Sequence, residues 1–221
     1  MSITARHGRI REELRGQGLD ALVVTNLVNI RYLSGFVGSN GVLVVGPESL
    51  VLLTDSRYAT AARDQVTDTD VVIAGRDLLD RLAEVVPRGR VGFEAEDVTV
   101  ARRDRLAARL EGVDLVSTAG IVEGLRVVKE PGEIDLIRDA TRIADAALSG
   151  LITRGFAGRT EARVAWDLEG AMREAGAEGA SFDIIVAGGA HGALPHAVPR
   201  PVVVPPDALV VVDMGARVDG Y

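Results

Sequence analysis

DVVIAGRDLLDRLAEVVPRGRVGFEAEDVTVARRDRLAARLEGVDLVS, residues 70–117, is the stretch on which the fold turns. DVVIAG, RVGFEAE and VDLVS are short runs rich in valine and bounded by glycine or charge, the signature of strands. RDLLDRLAEVV and TVARRDRLAARLEG instead space their leucines at helical intervals among charged residues. Strand and helix therefore alternate. Neither kind of element can bury its apolar side alone, so this alternation predicts helices laid on a sheet, an α/β layer whose last strand ends near Ala119.

Upstream, GVLVVGPE and SLVLLTD meet at Gly46 and Pro47 and read as a hairpin. DALVVTN reads as a further strand, and NIRYLSGFVGSN between them as irregular. At the start of the chain Ile3, Ile10 and Leu14 form a helical stripe that the glycines of RGQGL close. His7 falls among charged residues there, and solvent is its expected surrounding.

Downstream, EPGEIDLIRDATRIADAALSGLI opens on Pro131 and acidic residues, as a helix N-terminus favours. Its Ile134, Ile137, Ala144, Leu148 and Leu151 are expected along one face. TEARVAWDLEGAMREAG repeats Val164, Leu168 and Met172 at four-residue steps and stops at Gly176, a second helix. SFDIIVAGGAHGALPH then reads as a strand leaving into a glycine-rich loop, and ALVVVDMG as another strand. Two helices and two strands are too few to close an α+β domain around a centred site. An incomplete second domain is therefore expected.

The 221 residues carry a formal charge of -7 with 47% hydrophobic content, enough apolar matter for real cores. An acidic chain without a basic cluster is a poor partner for nucleic acid or an anionic membrane, both of which need cations against phosphate. The absence of cysteine excludes disulfides, thiolate metal sites and cysteine nucleophiles. With neither an apolar leader nor a membrane-length run, a cytoplasmic protein is the expectation. No phosphate-binding glycine loop, HExxH or GxSxG occurs.

Two places invite chemistry. Asp213 ends the apolar run Leu209–Val212, where a buried carboxylate needs a cation or a hydrogen-bond partner; capping of the following turn is the alternative. His191 and His196 flank GALP in the loop after a strand, where scaffolds present functional groups, although a plain polar role fits the same position. Pro195 and Pro199 stiffen the backbone around His196. In the first half, Tyr32, Asp55, Arg57 and Tyr58 form a polar group, read as packing and hydrogen-bonding residues at strand ends or as the border of a cleft.

Four ordered segments, NIRYLSGFVGSNGVLVV with LTDSRYATAA, LRVVKEPGEIDLIRDATRIADAAL, SFDIIVAGGAHGALPHAVP and VVVDMGARVDGY, together resemble the Xaa-Pro peptidases of the aminopeptidase P and prolidase family. The resemblance implies a creatinase-like amino-terminal α/β domain over residues 1–120 and the first part of a pita-bread α+β catalytic domain over 126–221. It makes His196 the catalytic histidine that contacts substrate, and Asp213 the first carboxylate ligand of a two-metal centre of Mn²⁺, Co²⁺ or Zn²⁺. His191 and Asp219 match no family role. The resemblance further implies a proline-containing peptide substrate and a homodimer. The remaining metal ligands have no counterpart here, so the chain alone is expected to hold no catalytic metal pair and to be inactive. A creatinase-like amidinohydrolase is the rival enzyme, one with no use for a carboxylate at Asp213. A non-catalytic binding or dimerisation module is the rival of another class.

Overall fold

The computed structural model describes residues 3–156 and 158–221. Its chain forms two compact units, Met1–Lys129 and Glu130–Tyr221. The first contains, in order, α1 (Ile3–Gly16), β1 (Ala21–Val24), α2 (Leu27–Ser34), β2 (Gly41–Val45), β3 (Leu50–Asp55), α3 (Ala59–Gln65), β4 (Asp70–Ala74), β5 (Arg90–Glu94), α4 (Val100–Arg109), β6 (Asp114–Thr118) and α5 (Ile121–Val127). The strands make one mixed sheet in the order β4-β3-β2-β1-β5-β6. β2 runs antiparallel to both β1 and β3, and β4, β5 and β6 each join a neighbour in parallel.

The central strands are apolar at every position because the sheet is covered on both sides. Side chains alternate across a strand, so each strand feeds two cores. Leu22, Val24, Leu43, Val45 and Leu52 face the one containing Ile10, Leu14 and Ile30, while Ala21, Val23, Val42, Val44 and Leu53 face the one containing Leu79, Leu82 and Leu106. This is the α/β layer that the alternation at 70–117 implies. Helix α5 fills the interval left between the two expected domains, and its Ile121, Val122 and Leu125 are buried in the first of these cores.

Three local expectations need correction in this unit. NIRYLSGF is not irregular: Asn26 caps α2 by accepting from the Val28 and Asn29 amides, and Gly35 ends the helix at a φ of 82°. RDLLDRLAEVV winds as a 3₁₀ helix over Leu78–Glu84 instead of an α-helix, started by the Asp77 side chain on the Leu79 amide. His7 is 3% exposed, with Nε2 2.7 Å from the Leu33 carbonyl, because α1 turns it inward. Burial lowers its pKa below the usual histidine value.

The second unit contains α6 (Pro131–Arg154), α7 (Glu161–Glu174), β7 (Gly179–Ala180), β8 (Ile185–Gly188), β9 (Val210–Asp213) and β10 (Ala216–Arg217). β7 pairs with β10 and β8 with β9, both antiparallel. Val164, Leu168 and Met172 of α7 are buried as their spacing predicts, against Ala140, Ala147 and Leu151 of α6. Of the residues expected along one face of α6, Leu151 is fully buried and Ala144 and Leu148 pack against the same core, beside Ile143. Ile134 and Ile137, placed on that face by their spacing, are 37% and 40% exposed in the first two turns of the helix. β9 departs further from expectation. Among the described residues it pairs with β8 alone, Leu209 beside it is 91% exposed, and Asp213 is exposed at the strand end, where the capping alternative placed it, not buried.

Candidate functional site

The amino-terminal end of α7 organises the site. Thr160 caps the helix by accepting from the Arg163 amide, and Glu161 follows in its first turn. Glu161 is only 1% exposed, so its carboxylate must be satisfied by protein donors. It is satisfied fully. The Gly188 amide donates to Oε1 at 2.9 Å and the Arg200 amide to Oε2 at 3.0 Å. The Arg200 guanidinium adds two bonds of 3.1 Å, and His191 Nδ1 lies 2.9 Å from Oε2. The Arg200 guanidinium, ahead of the surrounding amides, holds the Glu161 carboxyl down at about 2.

Main-chain bonds complete the attachment. The Glu161 amide donates to the Val202 carbonyl, the Ala162 amide to that of Arg200, and the Val204 amide to that of Arg159. Between these anchors β8 ends at Gly188, a 3₁₀ turn spans Gly189–Ala193, and the chain swings out through Pro195 and His196 before returning at Arg200. His196 is exposed on this swing. Asp213 sits opposite Ile185, at the other end of the β8–β9 ladder from Gly188. The structure brings the two together: His196 and Asp213 line one open cavity of about 860 Å³, with Trp166 and Arg173 from α7, Phe182 and Val198.

His191 does not share that cavity, and its imidazole turns to Glu161 instead. Asp219 also lies elsewhere, in a left-handed turn with a φ of 47°. Among the described residues no three of His, Asp and Glu converge as a metal site, so this donor set does not by itself fit a cation pair. Glu161 escapes a reading of the sequence, where a glutamate after a capping threonine is ordinary helix-start composition.

The polar residues of the first unit serve its fold. Asp55 is buried and accepts from Asn40 Nδ2 at 2.7 Å and from the Arg57 side chain and amide, which hold its pKa far below the usual range. The Tyr58 hydroxyl meets Ser39 at 2.6 Å, and the Tyr32 hydroxyl donates to the Leu125 carbonyl. Glu94 accepts from the Thr25 and Asn26 amides and from Asn29 Nδ2, pinning the start of α2; burial raises its pKa above the usual value.

Residues 6–128 match the creatinase/prolidase N-terminal domain family, and residues 135–221 match metallopeptidase family M24. Among curated proteins the chain is 35% identical to the uncharacterized peptidase YqhT of Bacillus subtilis, over 92% of this chain and 59% of that one. Among solved structures it is similar to an Xaa-Pro dipeptidase from Bacillus anthracis, with a TM-score of 0.94, 31% identity and coverage of 100% of this chain and 62% of the other. An X-Pro aminopeptidase from Thermotoga maritima aligns with a TM-score of 0.85 and 32% identity, over 94% of this chain and 61% of the other. The chain thus spans about three fifths of the length of these relatives.

Proposed function

Since the chain belongs to the metallopeptidase family M24, with that family's creatinase/prolidase N-terminal domain, we propose that the protein hydrolyses the peptide bond preceding a proline, as a dipeptidase or an aminopeptidase. The observation that carries this reading is the meeting of His196 and Asp213 on one cavity. A bond to proline has no N–H, so a site that selects it must work through shape and through the carbonyl oxygen. The His196 imidazole is the donor for that oxygen. Held at the cavity on a proline-bracketed loop, it is in place before negative charge develops on that oxygen.

The divalent cations of this family supply an activated water when bound. Asp213 is the carboxylate that would be offered to them; Glu169 and Asp183 also line the cavity, but among the described residues no three acidic or histidine side chains are grouped to hold an ion. A homodimer in the cytoplasm and a requirement for Mn²⁺, Co²⁺ or Zn²⁺ belong to the same proposal.

The test is an assay of the natural gene product on Xaa-Pro dipeptides, on longer peptides with proline second, and on creatine. Proline or amino-terminal residue release is the expected result, with His196→Ala reducing turnover by about a hundredfold to a thousandfold at unchanged metal content. Loss of bound metal in His196→Ala would overturn its assignment. Turnover of creatine alone would transfer the protein to the amidinohydrolases.

A further inference from the structure

The segment that carries His196 has little of its own to hold it. Leu194 and Val198 project into solvent beside His196, and of the residues from Ala193 to Pro199 only Ala197 is buried. Its placement therefore depends on its ends. Both ends converge on one carboxylate: Glu161 takes the main-chain amide of Gly188 where the chain leaves β8, and the main-chain amide of Arg200 where it returns. His191 and the Arg200 guanidinium occupy the remaining directions around the same two oxygens. Bonds to amides fix backbone position in a way that bonds between long side chains do not, and the acceptor stands on the first turn of a rigid helix.

We infer that Glu161 is a positioning residue for His196, fastening both limbs of the 188–200 loop to the start of α7 through the Gly188 and Arg200 amides, with His191 and the Arg200 side chain as its struts. The functional consequence rests on the reading of His196 given above. The clamp itself does not. A carboxylate so placed sets where the imidazole stands without touching substrate, and loosening of the clamp disperses the imidazole over many positions, only a few of which face the carbonyl oxygen.

Hydrogen exchange and proton NMR on the 221-residue chain test this, with Glu161→Gln as the variant. An amide side chain keeps the shape but presents a donor to the Arg200 guanidinium. The expected result is exchange of the amides in 189–198 that is faster by about 10- to 100-fold, with α7 from Val164 to Met172 and strands β1 and β2 at wild-type rates. The Hε1 resonance of His196 should change in position or width in parallel, a signature that a role confined to global stability would leave alone. Should Glu161→Gln fail to fold, Arg200→Gln replaces it. That guanidinium is partly exposed and its removal leaves the core intact, so faster exchange confined to the loop is again expected. Wild-type exchange within the loop, or acceleration spread evenly through α6 and α7, would overturn the inference. Loosening of the loop combined with full peptidase turnover in His196→Ala would leave the clamp standing and remove the functional reading.

Discussion

Glu161 also makes the second unit sensitive to acid, with a definite sign. Its carboxyl falls from an ordinary 4.5 to about 2 in the folded chain, chiefly through the Arg200 guanidinium. A folded value below the unfolded one stabilises the fold above the unfolded pKa, and that contribution drains away as pH falls from about 4.5 through about 2. Trp166, the only tryptophan, lies on α7 and reports this unit by fluorescence. The difference in melting temperature between wild type and Glu161→Gln should be full near neutrality and shrink steadily between pH 4.5 and 2. A difference that does not vary with pH would show that the carboxylate is not the group responsible. At this scale the sequence singled out His196 and Asp213 as candidates, each by its neighbours in the chain, and the structure puts both on one cavity. The sequence concealed Glu161, whose anchoring partners stand 27 and 39 positions away.

Among the elements, α2 shows what tertiary contacts add to a weak local signal. Eight residues containing Asn29 and Arg31 make a poor helix in isolation, and the segment forms because Ile30 and Leu33 are buried and both ends are capped. The closing cap is specific to glycine. Gly35 holds a φ of 82°, and a Cβ there would stand 3.0 Å from the Gln65 carbonyl oxygen. Gly35→Ala should therefore cost about 1–2 kcal/mol from the left-handed backbone alone, before any shift of the Gln65 peptide, read as a lower urea midpoint. An unchanged midpoint would mean that the helix end can rearrange without cost. The 3₁₀ helix over Leu78–Glu84 makes the complementary point: leucine spacing identified a helical segment with Leu78, Leu79 and Leu82 inward but did not determine its winding.

For the whole molecule, the decisive feature is that the Met1–Lys129 unit has two cores of its own, one on each face of its sheet. Residues 1–129 expressed alone should unfold in one cooperative step. A piece ending at residue 120 loses Ile121, Val122 and Leu125, all inside the first core. Full burial of such side chains contributes about 1.5–3 kcal/mol each, so the shorter piece should be far less stable to urea, or unfolded. Equal midpoints for the two pieces would show that α5 adds nothing to the core. The Glu130–Tyr221 unit differs in kind. Val198, Leu209 and Val211 remain exposed beside its short ladders, which is why its apolar strand sequence did not translate into a buried strand.

The sequence by itself determined the order and type of most elements. Strand and helix periods, and punctuation such as Pro131 and Gly176, act over a few residues and need no distant partner. Only the tertiary structure decided how much of the α6 face is buried, that His7 turns inward, and that a glutamate at a helix start gathers both ends of the His196 loop. The physical reason is common to all three. Periodicity marks where a chain turns helical or extended, whereas the depth to which a helix face is buried, or the choice between solvent and a buried acceptor, depends on the fit of surfaces far apart in the chain.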